Sequence, residues 1–144
     1  MERRLLELSE LIVDTSFLLP FVGIKVRGVK EDLLEGKTLY YPSLILTELL
    51  AVIIKELKKL RLKKVPEDVI KGLSYINANV RLISLDQTDI VTVFQIMNSG
   101  WNDIFDAILY SAYKSTGIPM LTMDKSFYNF LSTKGLETSG VILI

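Results

Sequence analysis

The sequence predicts an α/β fold in which a parallel sheet is covered on both faces by helices. Three observations lead there. Short apolar runs of strand length alternate with longer stretches of helical pattern. Runs such as Leu11 to Val13 and Val141 to Ile144 are continuously apolar, as strands buried on both faces are. Pro42, Pro66, Gly117 and Gly140 fall between the runs, where elements stop or start.

Taken in order, Leu11 to Asp14 is the first strand, with the polar cluster Asp14, Thr15 and Ser16 at its C-terminal end. A short helix with Phe17, Leu18 and Leu19 follows and stops near Pro20 or Gly23. A second short helix is expected over Val29 to Leu34, ended by Gly36. Thr38 to Tyr41 is the second strand, closed by Pro42, after which Ser43 can cap a long helix from Leu44 to Leu62. Pro66 opens a helix to Ile76, and Val80 to Ser84 is the third strand. Asp86 begins a helix to Met97, with Asp89 in its first turn. Asn102 or Asp103 starts the helix running to Lys114, which Gly117 ends. Ile118 to Thr122 is the fourth strand, Lys125 to Leu131 a helix, and Val141 to Ile144 the last strand. Helices outnumber strands, so some connections contain paired helices.

A chain of 144 residues fits one domain, here 1–144, with residues 1–10 as a charged N-terminal extension. The absence of cysteine excludes disulfides and thiolate metal sites, and the absence of histidine removes the commonest general base and every histidine-bearing zinc site. Chemistry must therefore fall to carboxylates, hydroxyls, lysines or a bound ion. The net charge of zero does not advertise nucleic-acid binding. Glu2, Arg3, Arg4, Glu7 and Glu10 among leucines make no signal peptide, and the apolar stretch Leu44 to Ile54 contains Glu48 and is too short to span a bilayer. A soluble, cytoplasmic protein is the expectation.

In an open parallel sheet, ligands bind outside the C-terminal strand ends, where helix N-termini also gather. Four acids fall there: Asp14 after the first strand, Glu48 early in the helix after the second, Asp106 in the first turn of the helix from Asn102, and Asp124 just beyond the fourth strand. Each has a bland explanation. Asp14 and Asp124 could simply cap the following helices, and Asp106 or its neighbour Asp103 could be a first-turn acid favoured by the helix dipole. Glu48 is harder to dismiss. It sits among Leu44, Ile45, Leu46, Leu49, Leu50, Ala51, Val52, Ile53 and Ile54, with no lysine at i+4. A carboxylate in such a helix should point at a cation or a wet pocket, although a lysine from elsewhere in the fold would also serve. Acids gathered at one edge repel one another, and a divalent ion relieves that repulsion. All-oxygen ligation suits Mg²⁺ or Mn²⁺.

Four blocks carry a resemblance to the PIN-domain family: Ile12 to Ser16; Pro42-Ser43 followed by Thr47 to Leu49; Asp106 to Ala112; and Gly117 to Asp124. The likeness runs from Leu11 to Ile144, the last two blocks being its most specific part. It implies a three-layer α/β/α sandwich around a parallel sheet of four to five strands. It also implies Mg²⁺- or Mn²⁺-dependent endoribonuclease activity on RNA, often as the toxin of a VapC-type toxin–antitoxin pair with an antitoxin partner. Metal roles carry over to Asp14, Glu48, Asp106 and Asp124, with Asp103 able to share the site. Ser16 and Thr122 match hydroxyl positions that orient water or a carboxylate. The segment Ser16 to Lys30 and the extension before Asp14 depart from toxin-type members, so the acids support catalysis better than they support a toxin role.

Lys25, Arg27 and Lys30 follow the first strand and are candidates for RNA-backbone contacts. The run Lys55, Lys58, Lys59, Arg61, Lys63 and Lys64 reads as a solvated helix end. Trp101 reads as packing beside a helix start, with base stacking the alternative. The apolar helix around Glu48 suggests a second buried face and a homodimer. Two other readings compete: a non-catalytic module binding RNA or protein, and phosphoryl transfer by an aspartyl nucleophile. The second asks for an aspartate two residues after Asp14, where Ser16 stands.

Overall fold

The computed structural model describes residues 2–30, 32–84, 86 and 88–144. Its strands are β1 (Glu10–Val13), β2 (Thr38–Pro42), β3 (Arg81–Ile83), β4 (Met120–Thr122) and β5 (Val141–Leu143), all parallel in one sheet of order β3-β2-β1-β4-β5. The helices are α1 (Glu2–Glu7), α2 (Thr15–Leu18), α3 (Leu46–Lys59), α4 (Glu67–Asn79), α5 (Ile90–Asn98), α6 (Ile104–Thr116) and α7 (Lys125–Thr133). Consecutive residues of a strand face opposite sides of a sheet, and Leu11, Ile12 and Val13 are all at 0% exposure, so both faces are covered. The expected three-layer α/β/α sandwich is the observed architecture.

The strand order fixes where a site can form. The chain steps outward from β1 through β2 to β3, then returns on the other side of β1 as β4. The reversal lies between β1 and β4, whose register pairs Ile12 with Met120 and Val13 with Leu121. At such a switch point the connections leave in opposite directions and open a crevice at the C-terminal strand ends.

Packing is close where α4 crosses the 3₁₀ turn Leu19–Val22 that follows α2. A Cβ added at Gly72 would lie 2.1 Å from the carbonyl oxygen of Phe21. Backbone cannot swing aside as a side chain can. Gly72→Ala should therefore destabilise the fold by about 3 kcal/mol, at the upper end of overpacking costs. The check is a lowered urea midpoint at unchanged m-value.

Three local expectations are corrected. Residues 29–34 do not form a helix: Leu33, Glu35 and Lys37 bond back only three residues, to Lys30, Asp32 and Leu34, and residue 31 lies outside the described residues. The segment is bounded by Gly28 and Gly36 at φ +88° and +76°, and a stretch so short has little room to repay helix nucleation. Ser43 does not cap α3. It opens a 3₁₀ turn, Ser43–Ile45, which the Tyr41 hydroxyl secures by donating to the Ile45 carbonyl at 2.9 Å. Asp89, not Asp86, starts α5, its carboxylate accepting the Val91 and Thr92 amides; residue 87 of the expected helix lies outside the described residues. Along α3, Leu49 and Ile53 are buried while Leu50 and Ile54 stay about half exposed.

The segment before β1 is tied to the folded body. Leu5 is buried, and the Lys37 ammonium donates to the carbonyls of Leu5 and Leu8 at the end of α1, where a cation also suits the helix dipole. Among the described residues, no helix is long and apolar enough to cross a membrane.

Candidate metal centre

Five acids stand at the N-termini of four helices along the C-terminal edge of the sheet. Asp14 directly follows β1 and caps α2, accepting the Ser16 amide at 3.0 Å. Asp124 caps α7, accepting the Phe127 amide at 2.9 Å, and its own amide donates to the buried Thr122 hydroxyl at 3.0 Å. Asp103 caps α6, accepting the Phe105 amide at 2.8 Å. Asp106 lies in the first turn of α6 and Glu48 in the first turn of α3. The capping roles considered for Asp14, Asp124 and Asp103 are thus present. Each occupies one carboxylate oxygen and leaves further acceptor capacity.

Capping does not make these acids comfortable. Burial pushes the Asp14 carboxyl up to about 6, against the amides of Ser16, Met123 and Phe17 that lower it, and the Glu48 charge raises it further. Glu48 is raised by burial and by the Asp103 charge, against its bond from Thr15. Asp106 is pushed up to about 7, first by burial and then by the Asp103 charge, with Asp124 and Asp14 adding to it. The acids therefore feel one another across the crevice. The salt bridges among the described residues, Lys71–Glu67 and Lys114–Glu137, lie elsewhere, and no lysine or arginine eases these three carboxyls.

Such a donor set suits a hard divalent ion: it is all oxygen, rich in negative charge and free of thiolate or imidazole. As the side chains stand, no three carboxylates among the described residues come close enough to hold one ion between them. Glu48 Oε1 accepts a hydrogen bond from the Thr15 hydroxyl. The fit is one of donor chemistry and charge, and loading an ion requires side-chain rotation.

Three residues beside the acids carry contacts that the linear sequence did not suggest. Thr15, buried, lies 2.7 Å from the Tyr41 hydroxyl and donates to Glu48 Oε1. Thr15 stood next to Asp14 in the sequence, but its partners come from β2 and α3, so only the folded structure reveals them. Trp101, expected as packing, does pack, its ring centroid 5.0 Å from Phe127 and 5.1 Å from Phe130. It also donates its indole N–H to Asp106 Oδ2 at 3.0 Å. Of the two predicted hydroxyls, Thr122 shapes the turn into α7 through the Asp124 amide, and Ser16 contributes its amide to Asp14.

Lys25, Arg27 and Lys30 are exposed. Lys25 and Lys30 line a cavity of about 840 Å³ floored by Phe17 and Phe21, and none of the five acids lines it. Their loop still approaches the acid edge, since a Cβ at Gly28 would meet Met123, the neighbour of Asp124, at 3.2 Å. The residues of the run from Lys55 to Lys64 that carry positive charge are exposed, as a solvated helix end should be.

The family model of the PIN domain matches residues 11–130, a span that holds all five acids. The chain belongs to the PIN-domain family. PIN domains are generally nucleases and typically use divalent metal ions. Among solved structures, this PIN domain is similar to PAE2754 from Pyrobaculum aerophilum, at 19% identity over 92% of this chain and 82% of that one, with a TM-score of 0.58. It is also similar to DNA-bound VapBC from Salmonella typhimurium, at 12% identity over 94% and 96% of the two chains, with a TM-score of 0.53. At these identities the likeness concerns the fold. No curated protein matches this PIN domain.

Proposed function

We propose that the chain is an endoribonuclease that hydrolyses RNA phosphodiesters with the help of Mg²⁺ or Mn²⁺. The observation that carries this reading is the crowding of half-buried carboxyls, Asp14, Glu48 and Asp106, with no basic partner among the described residues. A site built only to bind phosphate gains nothing from concentrated negative charge, which argues against a non-catalytic RNA-binding module.

In this reading Asp14, Glu48, Asp106 and Asp124 hold the ion and Asp103 adds charge to the site. When bound, the ion supplies Lewis-acid polarisation of the phosphate and neutralises charge on it. Asp14 and Asp124 stay anchored by their caps, so their free oxygens are aimed by backbone rather than by flexible side chains. Ser16 and Thr122 hold the two turns that carry those acids. Proton movement falls to a carboxylate or to solvent, because the chain has no histidine. Lys25, Arg27 and Lys30 contact the RNA backbone from the loop that touches Met123. The test is cleavage of single-stranded RNA during a Mn²⁺ titration. Cleavage should require the ion and disappear in Asp14→Asn and Asp124→Asn.

The fold likeness to VapBC favours a toxin role beside an antitoxin partner as the finer reading. A homodimer belongs to the same proposal. Leu50 and Ile54 on α3 and Ile90, Val91 and Phe94 on α5 leave large apolar side chains more than half exposed, an arrangement that association would bury. Leu50→Lys with Ile54→Lys should convert a dimer to a monomer in sedimentation equilibrium. A wild-type chain that sediments as a monomer would remove this part of the reading.

A further inference from the structure

We infer that Trp101 is a positioning residue for the metal centre, tying Asp106 to the helix that begins at Asp124. The inference rests on the proposed metal-dependent activity and names a device within it. Three contacts define the device. The indole N–H donates to Asp106 Oδ2 at 3.0 Å. The indole ring lies against Phe127 at 5.0 Å and against Phe130 at 5.1 Å, tilted by 43° and 42°. Phe127 belongs to α7, and its amide is the one that Asp124 caps at 2.9 Å. Trp101 therefore bonds one acid and packs on the residue whose amide anchors another.

The chemistry of indole suits this task. It donates and does not accept, it carries no charge, and it does not ligate a hard cation. A lysine or arginine in its place would hold Asp106 but cancel the charge that draws an ion. Trp101 anchors one carboxylate oxygen while leaving the charge intact, and Oδ1 accepts no hydrogen bond among the described residues. Outer partners of metal ligands act in this way, by orienting the donor before the ion arrives. Phe127 is fully buried, so the ring stack has a rigid base.

The variant that isolates the hydrogen bond is Trp101→Phe, which keeps an aromatic ring against Phe127 and Phe130 and loses the N–H. Mn²⁺ affinity, read from the free-ion electron paramagnetic resonance signal without RNA, should fall about 10- to 100-fold, the range for outer partners of ligands. The thermal midpoint of the metal-free variant should stay near that of the wild type. Unchanged Mn²⁺ affinity in a folded Trp101→Phe overturns the inference while leaving the nuclease reading intact. A wild-type chain that binds no Mn²⁺ overturns both. Should the variant fail to fold, the wild type supplies the answer, since its single tryptophan gives one indole N–H resonance. That resonance should shift on Mg²⁺ addition with the midpoint seen by calorimetry, and a resonance unmoved at saturation overturns the inference.

Discussion

Asp14→Asn and Asp106→Asn should each lower divalent-dependent RNA cleavage by about a hundred- to a thousandfold, as removal of one preorganised electrostatic group does. Both variants should remain folded, and the structure says why. Asparagine caps a helix as well as aspartate does, so the bond to the Ser16 amide survives at position 14. At position 106 an asparagine carbonyl can still accept the Trp101 indole. What each substitution removes is a charge in a half-buried crevice where burial already holds the carboxyl up, to about 6 for Asp14 and about 7 for Asp106. Loss of activity should therefore come with equal or higher thermal stability of the metal-free protein. Single-turnover cleavage and thermal melts on the same preparations check the two halves. A variant that loses activity because it has unfolded would not count, and full activity in either folded variant would remove that acid from the site.

The metal-free protein should lose stability as pH rises from about 5 to about 8, and a divalent ion should reverse the trend. The sign follows from proton binding. Asp14 and Asp106 have folded values near 6 and 7 against an ordinary 3.8. Between those limits the folded chain binds more protons than the unfolded one, so stability falls as pH climbs through the window and levels off above it. Raising a fully shielded carboxyl from 3.8 to about 6, or to about 7, corresponds to about 3 or about 4 kcal/mol. The two acids influence each other and are partly wet, so their joint effect should be nearer 2–4 kcal/mol than a simple sum. Glu48, also raised by burial, adds in the same direction. The chain has no histidine, and the carboxyls with lowered values, Asp89 and Glu137, finish titrating below the window. With saturating Mg²⁺ the ionised carboxylates become the bound form, and the melting temperature should rise with pH instead. Melts at pH 5, 6.5 and 8, with the ion and with chelator, check both signs. Asp106→Asn should flatten the metal-free slope.

The strands were legible because a parallel sheet covered on both faces leaves an unambiguous trace: Leu11 to Val13 and Val141 to Leu143 are apolar without interruption. The acids were legible for a related reason. In such a fold the residues just past a strand must sit at the ligand edge, so Asp14 and Asp124 could be located from their neighbours alone. Errors arose where a local pattern had to compete with turn geometry. Val29, Leu33 and Leu34 look like a helical face, but the positive-φ glycines on either side leave only single turns. Asp86 and Asp89 are both good caps three residues apart, and which one starts α5 is decided by the bonds Asp89 makes to Thr92. Contacts of Thr15 with Tyr41 and Glu48 were beyond sequence reading, since they join α2, β2 and α3 across the fold in a way that no spacing encodes. Trp101 is the intermediate case. It precedes Asp106 by five residues across a helix cap, close enough to raise the possibility of contact, but its direction is set by Phe127 and Phe130.

The most direct measurement is a crystal soaked in Mn²⁺, with anomalous scattering collected at the manganese edge. The expected map has its strongest peak at the crevice between β1 and β4, within ligating distance of Asp14 and of Asp106 or Asp124, with Glu48 turned away from Thr15. A map with no peak there while Mn²⁺ orders elsewhere, or one in which a lysine has filled the crevice, would contradict the account.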